Sequence, residues 1–154
     1  MPSTILFVCT GNYYRSRFAQ YWFNHLAHRY GGGWSAVSAG LRPDADQKYN
    51  VGPISPDAHA ALQQREVTLA DPLPMPRALT PELLDSCYRV IALDRDEHRP
   101  MMAEHFPAHA ARITYWDIRD VSPSPLYDPM ADIDAKVRDL LAALVEEPDP
   151  AWRR

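Results

Sequence analysis

The chain has 154 residues and a formal net charge of -4, with 46% hydrophobic and 23% charged residues. That balance suits one compact globular domain, and its acidic sign excludes a broad basic field of the kind that binds nucleic acid. Two cysteines exclude a disulfide framework, and no apolar stretch approaches the roughly 20 residues of a membrane span. The start Met1-Pro2-Ser3-Thr4 has neither the basic end nor the apolar run of a secretory signal. The expectation is a cytoplasmic protein with no nucleic-acid and no membrane partner.

In chain order, residues 4–8 read as a short, fully buried strand, aliphatic and without polar alternation. From Ser16 the period changes. Phe18, Trp22 and Leu26 fall four apart, as on one helix face, and Gly31-Gly32-Gly33 ends the pattern. Residues 34–38 form a second strand closed by Ala39-Gly40, and residues 41–55 read as loop. Ser55-Pro56-Asp57 opens a helix through Ala58, Ala61 and Leu62. Residues 71–77 are proline-rich and extended, Thr80-Pro81-Glu82 opens a short helix, and residues 89–93 form a third strand. Residues 96–106 form a helix, 113–116 a fourth strand and 122–129 a loop. Ile133, Val137, Leu140, Leu141, Leu144 and Val145 trace a last helical stripe.

Strands alternating with helices imply an α/β fold: a three-layer sandwich with a four-stranded parallel twisted sheet and helices on both faces. No internal repeat or composition break divides it. Residues 1–147 read as a single domain and 148–154 as a frayed C-terminal tail.

One stretch combines several chemical signals. Cys9 ends the first strand, at the carboxyl edge where ligands bind in such sheets. The turn after it contains Gly11-Asn12, and Arg15-Ser16 begin the next helix. A strand, a glycine-containing turn and a helix N-terminus can curl backbone N–H groups around an anion. Arg15 adds a planar fork for two phosphate oxygens, and Ser16 is placed to hydrogen-bond the sulfur. Cysteine at such a position is favoured as a thiolate nucleophile. A Walker phosphate loop is excluded, because the Gly-Lys-Ser/Thr ending is absent. Asn12 and Ser38 suit shaping the loop, asparagine as a left-handed turn residue and serine as a hydroxyl that fixes it.

This stretch, Val8-Cys9-Thr10-Gly11-Asn12-Tyr13-Tyr14-Arg15-Ser16-Arg17-Phe18-Ala19-Gln20, resembles the signature V-C-x-G-N-x-C-R-S-P-x-A-E of the low-molecular-weight protein tyrosine phosphatases, a family shared with some arsenate reductases. Further segments follow in family order: Ser38-Ala39-Gly40, Tyr49-Asn50-Val51-Gly52, Arg77-Ala78-Leu79-Thr80, Leu93-Asp94 and Asp128-Pro129. Tyr14 stands where the family has a second cysteine, Arg17 where it has proline, Tyr49 where it has tryptophan and Met130 where it has an aromatic.

The resemblance implies a phosphomonoesterase acting on phosphotyrosine or small aryl phosphates without metal or other cofactor. Cys9 would attack phosphorus to give a phosphocysteine. Arg15 and the backbone from Thr10 through Gly11, Asn12, Tyr13 and Tyr14 would hold the equatorial oxygens, with Ser16 beside the sulfur. Asp128 would be the general acid, with Asp117 and Asp120 as weaker competitors. Tyr13, Tyr14, Tyr49, Tyr127 and Met130 are candidates for the pocket rim, and each is equally readable as packing. Arg17 extends the positive field or lies on the exposed face of the helix; the sequence leaves both open. The six histidines are scattered without a metal-ligand pattern, and His98 and His105 read as solvent-facing. Cys87, at the start of the third strand, reads as buried. The expected partners are a phosphorylated protein or a small aryl phosphate, with phosphate or another oxyanion in the loop. The alternatives are an arsenate reductase, served by an external thiol or redoxin donor, and a non-catalytic phosphotyrosine binder.

Overall fold

The computed structural model describes residues 3–30, 32–44, 48–120 and 126–146. The last residues of the 122–129 loop fall within that set, but its first part and the proposed tail 148–154 lie outside the described residues. Among the described residues nine elements follow one another: β1 (Thr4–Cys9), α1 (Arg15–Tyr30), β2 (Ser35–Gly40), α2 (Pro56–Gln64), α3 (Pro81–Ser86), β3 (Arg89–Ala92), α4 (Arg95–His105), β4 (Thr114–Tyr115) and α5 (Pro129–Glu146). The four strands make one sheet in the order β2-β1-β3-β4, with every pairing parallel.

Alternation along β1 creates two cores. Ile5, Phe7 and Cys9 face one side and pack with Phe18, Phe23, Leu62, Ile133 and Val137 from α1, α2 and α5. Leu6 and Val8 face the other, with Leu84 of α3, Met102 of α4, and Val90 and Ala92 of β3. All five β1 residues from Ile5 onward are buried. That is why this strand reads as a continuous apolar run rather than an alternating one. The three-layer α/β architecture expected from the sequence is the one observed.

Helix starts follow from local chemistry. The Ser55 side chain accepts from Asp57 N–H, and Pro56 occupies the first turn of α2. Thr80 caps α3 in the same way, accepting from Leu83 N–H. Asp94 caps α4, accepting from Asp96 N–H. β2 begins at Ser35 and runs to Gly40, two residues further along than expected. Its Ala39 and Gly40 continue the parallel register beside Val8 and Cys9. Among the described residues no helix is long and apolar enough to cross a membrane.

Candidate active site

Cys9 is the last residue of β1, central in the sheet, and the chain turns directly into α1. The turn is held by buried asparagine chemistry. Asn12 takes a left-handed conformation, φ 51°, which asparagine tolerates better than most residues. Its Nδ2 donates to Ser16 Oγ and to Ser38 Oγ, both at 2.9 Å. Its Oδ1 accepts from Arg77 N–H at 3.0 Å. One fully buried side chain thus ties the turn to α1, β2 and the segment before α3. Gly40 makes room for this approach, because a Cβ there would meet Thr10 O at 2.8 Å and Asn12 N at 3.0 Å.

Cys9 Sγ donates to Ser16 Oγ at 2.9 Å. Among the described residues nothing accepts a hydrogen bond from the backbone N–H groups of Gly11 through Arg15. They are the unpaired donors of a loop leading into a helix N-terminus. Cys9, Thr10, Gly11, Tyr13, Tyr14, Arg15, Asn50, Glu97 and Asp120 line a pocket of about 170 Å³.

Arg15 is buried, and carboxylates surround it. Its Nη1 donates to the Ile118 carbonyl at 2.9 Å and lies 3.7 Å from Asp94 Oδ2. Its Nη2 donates to Glu97 Oε2 at 2.8 Å, and its Nε lies 3.5 Å from Asp120 Oδ1. Burial disfavours the charged guanidinium, but Cys9, Glu97 and Asp120 outweigh it and raise its affinity for the proton. Glu97 is held well below the usual carboxylate range, chiefly by His98, with Thr10 and Arg15 adding to the effect. The Tyr14 hydroxyl is pushed up to about 12, first by burial and then by Asp57, Asp120 and Asp128. It stays neutral, as a pocket wall next to an anion requires.

The predicted site residues divide into groups. Cys9, Thr10, Gly11, Tyr13, Tyr14 and Arg15 meet at the pocket, while Asn12, Ser16 and Ser38 support it from beneath. Tyr13 is anchored through its hydroxyl to the Val51 carbonyl at 2.7 Å. Tyr49 is 71% exposed beneath the Lys48 ammonium and is not on the pocket lining; its neighbour Asn50 is. Tyr127 accepts from Arg119 N–H at 3.0 Å. Met130 is a correction: it is buried in the main core rather than at the rim, because the first turn of α5 points it inward beside Ile133. Asp128 is exposed and caps α5, with Oδ1 accepting from Met130 N–H at 3.0 Å and Ala131 N–H at 3.3 Å. Asp120 is on the pocket wall, whereas Asp117 pairs through its backbone with Asp94.

Two further readings are corrected. His98 is fully buried rather than solvent-facing. Its Nδ1 accepts from Asp94 N–H at 3.0 Å, and its Nε2 lies 3.1 Å from Thr10 Oγ1 and 3.0 Å from Glu97 Oε2. Arg17 neither extends the field outward nor lies exposed. It is buried against the Tyr21 ring, donating from Nε to the Pro53 carbonyl at 3.2 Å and from Nη2 to the Pro74 carbonyl. Glu97 and Asn50 were missed altogether. The one available signal for the α4 residues was that His98 stands four before Met102, one helical turn on the buried face. Among the described residues no group of three or more His, Cys, Asp and Glu is placed to hold a metal.

A cysteine, an arginine and unpaired N–H groups around one small pocket have the chemistry to hold an oxyanion beside a nucleophile. The pattern of the low molecular weight phosphotyrosine protein phosphatases matches residues 4–147, and the chain belongs to that family, whose members are hydrolases. It is similar to a protein-arginine-phosphatase of Bacillus subtilis (strain 168), 29% identical over 147 residues that span 93% of this chain and 92% of that one. Its fold matches a low molecular weight protein tyrosine phosphatase from T. tengcongensis with a TM-score of 0.74 at 24% identity, over 91% of this chain and 98% of that one. A mutant of the YwlE arginine phosphatase with a phosphorylated active-site serine matches with a TM-score of 0.59 at 27% identity, over 92% and 90%.

Proposed function

We propose that this phosphatase hydrolyses phosphotyrosine or small aryl phosphates through a phosphocysteine. The observation that carries the reading is the convergence of Cys9, Arg15 and the unpaired N–H groups of 11–15 on one pocket, flanked by Tyr13 and Tyr14. Cys9 enters as the thiolate, its proton already given up to solvent, and attacks phosphorus as the phosphorus–oxygen bond to the leaving group breaks. The N–H groups and Arg15 hold the three equatorial oxygens, where charge accumulates. Asp128 donates a proton to the leaving oxygen. It then takes one from the water that splits the phosphorus–sulfur bond, releasing phosphate and restoring Cys9. The phosphorylated serine at the active site of the similar arginine phosphatase supports a covalent route. The Asp128 carboxylate helps to push the Tyr14 hydroxyl up, after burial, Asp57 and Asp120. Cytoplasmic residence goes with this reading, since the nucleophile has to stay reduced.

A second reading has its own observation. Glu97 and Asp120 put two carboxylates on the pocket wall, which suits a leaving group that carries positive charge, as a phosphorylated arginine does; the arginine phosphatase is among the similar proteins. An arsenate reductase with an internal cysteine relay is disfavoured, because Cys87 is far from the pocket, so that route needs an external thiol or redoxin. Turnover of para-nitrophenyl phosphate, a phosphotyrosine peptide and a phosphoarginine peptide by the purified protein tests these readings. Faster turnover of the aryl esters supports the first, and preference for phosphoarginine the second. Binding of phosphotyrosine with no turnover of any of the three substrates overturns both.

A further inference from the structure

Arg15 presents two edges. Nη1 is committed to the interior, through Ile118 carbonyl and Asp94. The edge formed by Nε and Nη2 is the fork that grips two oxygens of a phosphoryl group. Both of its nitrogens face pocket carboxylates: Nη2 donates to Glu97 Oε2 at 2.8 Å, and Nε is 3.5 Å from Asp120 Oδ1. Glu97 is the more firmly held. Its Oε2 also accepts from Thr10 Oγ1 and lies 3.0 Å from His98 Nε2. That nitrogen carries the ring proton, because Nδ1 accepts from Asp94 N–H. Donors from α1, α4 and the turn between β1 and α1 therefore converge on one carboxylate oxygen.

We propose that Glu97 is a specificity-determining residue that competes with the incoming oxyanion for the Arg15 fork. In the free protein its carboxylate stands in for the phosphoryl oxygen. Free inorganic oxyanions are consequently bound weakly, and the cradle is reserved for phosphorylated ligands that supply further binding energy outside it. This rests on the reading of the pocket as a phosphoryl site.

The obvious alternative is that Glu97 permanently braces Arg15. Three observations oppose it. Arg15 is already braced from behind by Ile118 and by Asp94, whose side chain is 4% exposed. The Glu97 side chain is 34% exposed, so it has a path to solvent. Its departure orphans no buried donor once the oxyanion has arrived, because the oxyanion takes over Arg15 Nη2 and His98 Nε2 retains Thr10 Oγ1 at 3.1 Å. A carboxylate and a phosphate dianion cannot share one fork without strong like-charge repulsion. Protonation does not relieve the competition near neutral pH, since the same three donors keep Glu97 ionised.

The test is calorimetric titration of inorganic phosphate into wild type, Glu97→Gln and Glu97→Ala, with Arg15→Ala marking the signal that belongs to the pocket. Both Glu97 variants should bind phosphate at least about tenfold more tightly, the scale expected for removing one neighbouring like charge. Unchanged or weaker binding by either folded variant overturns the proposal and makes Glu97 a brace. Thermal melts establish folding, and either variant decides alone if the other does not fold. The assay separates this proposal from the functional reading beneath it. Tighter phosphate binding without turnover of any phosphoester or of phosphoarginine defeats the phosphatase reading alone. Turnover with phosphate affinity unchanged defeats this proposal alone.

Discussion

Cys9 ends β1, whereas Cys87 caps the C-terminus of α3, two residues before the neighbouring parallel strand β3 begins. The register pairs Ile5 with Arg89, which puts Cys87 level with Ser3, six residues before Cys9 along β1. At about 3.3 Å per residue the separation is about 20 Å. A disulfide requires Cα atoms roughly 4.4–6.8 Å apart. Cys87 instead lines a separate cavity of about 360 Å³ with His109 and Arg112, and burial pushes its thiol up, which makes it the less reactive form. Brief peroxide treatment should therefore inactivate the enzyme without an internal disulfide, since Tyr14 cannot capture an oxidised Cys9 as a cysteine would. Mass spectrometry reads the result. A linked Cys9–Cys87 peptide in the monomer contradicts this geometry.

Cys9→Ser should abolish turnover while leaving the melting temperature within about 3 °C of wild type, because the cradle is built from backbone and the Asn12 network. Arg15→Lys should lose at least about a hundredfold in kcat, since a point charge cannot hold two oxygens and also reach Ile118 carbonyl. Steady-state kinetics with para-nitrophenyl phosphate checks both, and wild-type-like turnover by Cys9→Ser rules out the covalent route.

The sheet and its helices were legible because they rest on short-range signals. These include the unbroken apolar run into Cys9, the four-residue spacing of Phe18, Trp22 and Leu26, and serine or threonine before proline at two helix starts. The floor of the pocket was legible for the same reason, since Cys9, Asn12, Arg15 and Ser16 are near neighbours in the chain. What stayed hidden arises from contacts across the fold. Glu97 reads as an ordinary acid in the first turn of a helix, and only the docking of α4 beside the end of β1 brings it to Arg15. His98 follows a charged run, so nothing local signals that Thr10 covers it. Met130 sits beside the candidate acid in sequence, yet helical phase turns it into the core.

Asp128 is the proposed general acid and Asp120 its competitor, and the leaving group distinguishes them. Asp128→Asn should slow hydrolysis of phenyl phosphate at least about a hundredfold. The loss should be much smaller for para-nitrophenyl phosphate, whose phenolate leaves with little need of a proton. Asp120→Asn should leave that difference between esters as it is in wild type and act mainly on KM through Arg15 Nε. If instead Asp128→Asn slows both esters equally and Asp120→Asn produces the leaving-group dependence, Asp120 on the pocket wall is the acid.

Arg17 stands where the family pattern has proline, and its guanidinium spans two loops. One acceptor is the Pro53 carbonyl, in the loop that carries Asn50 to the pocket and Val51 to the Tyr13 hydroxyl. The other is the Pro74 carbonyl, in the segment leading to Arg77, whose N–H donates to Asn12. Burial pulls the Arg17 proton affinity down, and those carbonyls and the Tyr21 ring take the place of the water that the buried charge loses. Arg17→Met keeps the stem and removes both bonds. It should cost about 2 kcal/mol, set by the loss of charged hydrogen bonds against relief of desolvation. It should raise KM several-fold with a smaller change in kcat, because the loops shape the pocket wall and make no bond to the reacting atoms. Arg17→Lys restores the charge but cannot reach both carbonyls, and should recover less than half of the lost stability. Urea melts together with para-nitrophenyl phosphate kinetics decide it. If Arg17→Met matches wild type in both stability and KM, the two loops are held by other contacts and Arg17 is no latch.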